Sequence, residues 1–148
     1  MFRFHYSVTT KAGTDRAWEV FSDWSNWKSF ANIYGDVKWL EGEPWKIGSR
    51  MEIEVVRPVE VVIDHQIISC QPGREVGWLD RALGITIAQW VEFEKQGANE
   101  TRINTWGEVS PGGANLGGRA VDHLVSSFVE TWYENFRSAC DQAMQAKN

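Results

Sequence analysis

Residues 118–146, GRAVDHLVSSFVETWYENFRSACDQAMQA, carry the strongest structural signal in the sequence. Apolar side chains recur there every three or four positions, and they include Leu124, Phe128 and Trp132. This spacing predicts one amphipathic helix over residues 118–146. A long helix at the end of a chain of strands must bury its apolar side against their sheet. When a curved sheet wraps one helix, a ligand cavity between them is the default expectation.

The sequence before this helix alternates apolar and polar residues in runs that are typical of strands. Proline and glycine punctuate the runs, most clearly at 71–74, QPGR, which predicts a hairpin turn. Two short helical segments are predicted after the first strand, at 14–21 and 23–29, and a glycine-rich connection is predicted at 110–118. The strands are predicted at residues 2–10, 36–41, 49–56, 59–70, 75–79, 85–94 and 101–109.

The last hairpin can be placed in register from its side chains alone. One register pairs charge with opposite charge, apolar with apolar, and aromatic with aromatic residues. Its predicted cross-strand partners are Glu94 with Arg102, Phe93 with Ile103, Val91 with Thr105, and Trp90 with Trp106. The two tryptophans are assigned to the outer face of the sheet, where their contact contributes about 0.2–1 kcal/mol.

Composition limits the classes of function. The 148 residues carry a net charge of −5 without a block of like charges, which disfavours nucleic acid as a partner. The N-terminal residues lack the apolar core of a signal peptide, and no segment has the length of a membrane span. We therefore expect one domain, residues 1–148, of a soluble cytoplasmic protein without stable membrane insertion. Nine tryptophans allow a large core, an aromatic pocket or both.

Motifs for metals and cofactors are not evident. The two cysteines and three histidines are too isolated for a metal site or a disulfide framework. The sequence has no HExxH, P-loop, dinucleotide-binding or GxSxG motif. We therefore predict no cofactor and no metal.

The order of the elements, together with several local motifs, resembles a known superfamily. The motifs are the early helix with Trp18, the turn with Trp24 and Trp27, WKIGSRM at 45–51, QPGREVGW at 71–78 and ETRI at 100–103. In their order and spacing they resemble the START-like superfamily, also called Bet v 1-like or SRPBCC, and within it the polyketide cyclase/dehydrase type. The resemblance implies an α+β helix-grip fold. In that fold a seven-stranded curved antiparallel sheet wraps around a long C-terminal helix, two short helices follow strand 1, and a cavity lies inside.

Residues predicted to face this cavity are candidates for ligand binding. His65 shares the strand face of Ile63 and Ile67, so it is the best-placed candidate for a general base, although a core histidine with satisfied hydrogen bonds would follow the same pattern. The other predicted ligand-binding residues, each of which could instead serve core packing, are Trp78, Gln89, Val91, Thr105, Leu124, Phe128 and Trp132.

Four further polar residues are placed at the edge of the predicted cavity. Arg119 and His123 lie in the first turns of the long helix, where they could meet a polar ligand group at the cavity mouth or simply be solvated. Asp80 and Tyr34 could add acid or base groups at a rim. No sequence feature brings these two together, so we take both first as surface residues.

Three functions remain open at this point. The first is binding of a small apolar, aromatic or polycyclic ligand in the cavity. The second is a lyase-like cyclase/dehydratase activity, in which His65 assists aldol closure and dehydration of a polyketide. The third is a protein-interaction module, or a homodimer, that uses an outer face with Trp90 and Trp106.

Overall fold

The computed structural model describes residues 2–110 and 118–145, which form seven strands and three α-helices. The elements are β1 (Phe2–Thr10), α1 (Thr14–Ser22), a 3₁₀ turn (Trp24–Asn26), α2 (Trp27–Phe30), β2 (Tyr34–Glu41), β3 (Arg50–Val55), β4 (Val61–Gln71), β5 (Glu75–Ala82), β6 (Ile85–Gly97), β7 (Glu100–Ser110) and α3 (Gly118–Gln145). All seven strands belong to one antiparallel sheet in the order β1-β7-β6-β5-β4-β3-β2. This architecture confirms the predicted fold class.

The β6–β7 hairpin has the predicted register. Trp90 lies opposite Trp106 and Phe93 opposite Ile103, and the same register continues to the pair Thr86 and Ser110. It shifts only next to the turn, between Lys95 and Gly97. The agreement of charged, apolar and aromatic pairs was therefore sufficient to align these two strands.

The two short helical segments close one end of the sheet. The first predicted segment is α1, and the second is divided between the 3₁₀ turn and α2. Two indole nitrogens tie down the C-terminal end of α1: Trp27 Nε1 donates to the carbonyl of Phe21 at 2.8 Å, and Trp45 Nε1 donates to the carbonyl of Ser22 at 3.0 Å. These bonds satisfy carbonyls that the end of a helix leaves free.

Phe21 of α1 is the centre of an aromatic cluster at this end. Seven aromatic rings lie with their centroids 5.4–6.2 Å from the Phe21 ring, namely those of Trp18, Trp27, Trp45, Trp78, Phe93, Trp132 and Phe136. Rings at these separations attract one another and exclude water. Several of the tryptophans therefore fill the space between sheet and helix at this end of the molecule.

The two halves of α3 pack differently. In the C-terminal half, buried side chains recur with helical spacing at Val129, Trp132, Tyr133, Phe136 and Cys140. In the N-terminal half, the apolar side chains from 121 to 128 are only half-buried or exposed. The helix is therefore held against the sheet by its C-terminal half, and its N-terminal half borders open space.

Two sequence predictions fall partly outside the described residues. The predicted helix includes residue 146, and the predicted glycine-rich connection includes residues 111–117. Within the described range, α3 begins at Gly118 as predicted.

Candidate functional site

The candidate site is a cavity between the sheet and α3, with two adjoining chambers. The inner chamber, next to the aromatic cluster, has a volume of about 60 Å³, and the outer chamber has about 580 Å³. Both are lined by Ile63, Asp80, Gln89, Phe128 and Val129, which mark where they meet. The outer volume lies within the range of about 300–1,000 Å³ that is usual for small-molecule sites.

The outer chamber is apolar and opens at the N-terminal half of α3. Its walls come from the end of β3, the β3–β4 connection, the strands β4 to β6 and α3, and among the described residues all its lining side chains except Asp80 and Gln89 are apolar. Three apolar side chains at its edge are exposed to solvent, namely Val59 (44%), Leu83 (69%) and Leu124 (38%). These exposed apolar side chains give an apolar molecule an apolar contact surface at the opening.

The inner chamber combines aromatic walls with a few polar groups. Its aromatic hydrocarbon walls come from Phe21, Trp27, Trp45, Trp78, Phe128 and Trp132. Its polar side chains are Tyr34, His65, Asp80, Gln89 and Tyr133. A few fixed polar groups in a mostly apolar pocket are the usual means of orienting a ligand.

His65 and Asp80 form a hydrogen-bonded pair in this chamber. Their Nδ1 and Oδ1 atoms are 2.5 Å apart, and the side chains are only 6% and 16% exposed. The His65 ring also lies against Trp78, with ring centroids 5.1 Å apart and ring planes tilted by 38°, which limits the movement of the imidazole. The other ring nitrogen, His65 Nε2, is buried without a hydrogen-bond partner among the described residues.

A β-bulge creates this pair. Near the 71–74 turn Ser69 lies opposite Gly77, but the register shifts between Ile67 and Ser69, so that His65 lies opposite Asp80. Continued without the shift, the register at the turn would have placed His65 opposite Arg81. A bulge adds one residue to one strand and therefore changes which residues face each other beyond it.

The prediction that Asp80 and Tyr34 are surface residues is wrong. Asp80 is mostly buried against His65 through the bulge, and Tyr34 is buried at the start of β2 beneath Trp27 and Phe128. Burial raises the pKa of Tyr34 well above its ordinary value, and the Asp80 carboxylate raises it further. The Tyr34 hydroxyl is therefore uncharged at neutral pH.

A second set of hydrogen bonds fixes Gln89. Its Nε2 donates to Thr105 Oγ1 at 2.8 Å, and Thr105 Oγ1 donates to the carbonyl of Trp90 at 2.8 Å. Tyr133 lies close to both side chains, and burial raises its pKa. Thr105 therefore serves to hold the Gln89 amide, which lines both chambers.

The structure places only some of the predicted site residues at the cavity. His65, Trp78, Gln89, Phe128 and Trp132 line the inner chamber, and Leu124 lines the outer one. Val91 and Thr105 line neither chamber, and both side chains are fully buried.

The two residues predicted at the cavity mouth have different outcomes. His123 is exposed and lines neither chamber, because it lies about 200° around the helix from Val121 and Val125, which do. The side chain of Arg119 lies outside the described residues.

Among the helices of the described residues, none is long and apolar enough to cross a membrane. The described residues also contain no group of three or more His, Cys, Asp and Glu side chains that could hold a metal ion.

This sheet, closed around a long C-terminal helix with a cavity between them, defines a START-like, Bet v 1-like helix-grip protein. The family described as "Polyketide cyclase / dehydrase and lipid transport" matches residues 1–144. The chain belongs to this family, which confirms the resemblance inferred from its motifs. No curated protein matches the sequence.

Solved structures with the same fold are similar in shape but distant in sequence. A START superfamily protein from Mycobacterium smegmatis is 12% identical with a TM-score of 0.78, covering 95% of this chain and 98% of its own. The ZhuI aromatase/cyclase from Streptomyces sp. R1128 is 15% identical with a TM-score of 0.78, and the match covers 97% of this chain and 93% of the ZhuI chain. The protein TTHA0849 from Thermus thermophilus is 13% identical with a TM-score of 0.79, and the match covers 96% of this chain and 99% of the TTHA0849 chain.

Proposed function

We propose that this protein binds one small, mostly apolar molecule, aromatic or polycyclic, between the sheet and α3. The observation that carries the proposal is the outer chamber of about 580 Å³, whose described lining residues are apolar except for Asp80 and Gln89. Transfer of apolar surface from water into such a chamber is favourable by about 25 cal/mol per Å². The aromatic walls of the inner chamber favour a planar ring system, which can stack on them or meet their edges.

Filling the outer chamber tests this proposal. Val125 lines the chamber, whereas Ser127, on the same turn of α3, is exposed and does not line it. We expect Val125→Trp to weaken binding of an apolar fluorescent probe at least about tenfold, because the indole occupies the probe's volume. Ser127→Trp adds the same indole outside the cavity. The affinity of this variant for the probe should therefore stay within about twofold of the affinity of the unmodified protein. Equal probe binding by both variants would place the probe elsewhere and refute the proposal.

A second candidate function is a cyclase/dehydratase activity. It is favoured by the His65–Asp80 pair, since a carboxylate that holds Nδ1–H leaves Nε2 free to accept a proton. In that reaction Nε2 would take a proton from a carbon beside a ligand carbonyl, and the carbanion would add to a second carbonyl to form a carbon–carbon bond and an alkoxide. The protonated Nε2 would return the proton to this alkoxide, and elimination of the new hydroxyl with a proton of the adjacent carbon would release water. The family description and the name of the ZhuI protein fit this chemistry.

Substitution of the polar residues separates the two functions. If His65→Ala or Gln89→Ala leaves ligand affinity nearly intact but abolishes formation of a cyclised product, the protein is an enzyme. If neither substitution changes any turnover, the binding function alone stands.

The outer face of the sheet offers a weaker case for a protein partner or a homodimer. The Trp90 ring covers Gly77 so closely that a Cβ atom at Gly77 would lie 2.5 Å from Trp90 Nε1. Trp90 is therefore already engaged within its own sheet. Loss of partner binding or of dimers on Trp106→Ala, with the fold intact, would support such an interface.

A cytoplasmic location is part of the proposal. Cys70 and Cys140 are free thiols, and burial raises the pKa of both, to about 12 for Cys140. Buried, protonated thiols are unreactive and typical of proteins that do not rely on disulfides. Fractionation of the host cell would test the location.

A further inference from the structure

The inner chamber contains a buried imidazole nitrogen with no hydrogen-bond partner among the described residues. His65 Nδ1 lies 2.5 Å from Asp80 Oδ1, and since an ionised carboxylate can only accept, Nδ1 carries the proton of the uncharged imidazole. His65 Nε2 then carries a lone pair, and this buried atom has no hydrogen-bond partner in the described part of the chain. Because buried polar atoms are nearly always hydrogen-bonded, this nitrogen is a natural place for a donor group of the ligand.

A buried donor without a partner lies in the same chamber. Trp132 Nε1 is unpartnered among the described residues, and Trp132 lines the chamber opposite the sheet. An indole N–H can only donate. It therefore complements an oxygen atom of the ligand.

The charges around the chamber argue against an anionic ligand group. Among the described residues that line the two chambers, none is lysine or arginine, and Asp80 is the one carboxylate. A ligand carboxylate or phosphate would lose its water beside Asp80 without gaining a fixed cation. A neutral group that donates a hydrogen bond carries no such penalty.

We propose that the inner chamber recognises an uncharged hydroxyl group of the ligand, as in a phenol or a polycyclic alcohol, through donation of its O–H to His65 Nε2. The apolar body of the same molecule then occupies the outer chamber. This inference rests on the proposed binding function, and it narrows the ligand class to neutral hydroxylated aromatic or polycyclic molecules. It disfavours fatty acids and phosphorylated lipids.

Three compounds with one ring system test the inference on the purified full chain. They are 2-naphthol, 2-methoxynaphthalene and 2-naphthoate, titrated calorimetrically at pH 7. We expect 2-naphthol to bind at least about tenfold more tightly than either of the others, because a site built around a hydroxyl rejects analogues that lack it. Equal binding of the methyl ether overturns the inference. Tighter binding of the naphthoate also overturns it, since His65 would then act as a cation.

Two variants test whether His65 and Asp80 cause the preference for 2-naphthol. His65→Leu combined with Asp80→Asn removes the acceptor without leaving a buried charge unpaired, and the preference for 2-naphthol over its ether should fall to within about twofold. Ile87→Ala, in the outer chamber, should weaken all three compounds together and leave the preference unchanged. If the double variant does not fold, the affinities of the unmodified protein for the three compounds still test whether the chamber recognises a hydroxyl group.

The failures of this inference and of the proposed function are distinguishable. If an apolar fluorescent probe binds but 2-naphthol has no advantage or does not bind, the cavity is a container and the hydroxyl inference is wrong. If neither the probe nor any naphthalene binds, both proposals are wrong.

Discussion

Replacement of Phe136 tests whether the C-terminal half of α3 holds the helix against the sheet. Phe136 is fully buried, and its ring centroid lies 5.2 Å from Trp132, 5.8 Å from Phe21 and 6.4 Å from Phe93. Burial of a phenylalanine side chain is worth about 1.5–3 kcal/mol, and aromatic contacts add about 0.5–1.5 kcal/mol per pair. With the void that alanine leaves, we expect Phe136→Ala to lower the free energy of unfolding by about 3–5 kcal/mol.

Urea denaturation followed by tryptophan fluorescence measures this loss. A matched control is Leu124→Ala on the N-terminal half of the same helix, where the side chain is 38% exposed at the cavity edge. We expect Leu124→Ala to lower the free energy of unfolding by no more than about 1 kcal/mol, since the substitution removes few packing contacts. In a thermal scan, Phe136→Ala should lower Tm by about 6–20 °C.

Similar losses of stability in the two variants would mean that the helix is held along its whole length. A loss below about 1.5 kcal/mol for Phe136→Ala would mean that this side chain does not hold the helix. In either case the difference in packing between the two halves of α3 would not explain why the outer chamber lies beside the N-terminal half.

Two further predictions concern the edge and the outer face of the sheet. Tyr6 donates a 2.5 Å hydrogen bond to Glu134, and this bond is the main cause of the lowered pKa of the Glu134 carboxyl. A carboxyl with a lowered pKa stabilises the fold above its ordinary pKa of 4.5 and loses that effect as the pH falls through its value in the folded protein. Tyr6→Phe should therefore reduce stability at pH 7 in urea denaturation, and the difference from the unmodified protein should shrink at pH 3; a difference that is constant across this range would contradict the assignment. Gly77→Ala should cost about 1–3 kcal/mol and change the near-ultraviolet circular dichroism, because its Cβ atom would displace the Trp90 ring. Gly97→Ala, where a Cβ atom meets nothing within 4 Å, is the control, and equal stability of the two variants would argue against the Trp90 contact.

Much of the fold could be predicted because its signals are local. The apolar spacing of α3 and the paired side chains of β6 and β7 each depend on neighbours along the chain or across one turn. The inward direction of His65 and Trp78 followed from strand alternation in the same way. Alternation holds wherever a strand is regular.

The arrangement of the site could not be predicted, because it depends on irregular and distant features. One bulge in β4 places His65 opposite Asp80 instead of Arg81. No residue type near Ile67 predicts this bulge. The full burial of Val91 and Thr105 depends on tertiary packing, which strand alternation does not encode. The volume of the cavity depends in turn on which tryptophans fill the end near Phe21.

The most direct test of the binding function is native mass spectrometry of the protein purified from its own host. The intact mass is compared with that of the denatured chain, and any released molecule is identified. We expect one mostly apolar molecule per chain, lost in Val125→Trp and retained in Ser127→Trp. A protein that is reproducibly empty, and that also fails to bind an apolar fluorescent probe, would contradict the account.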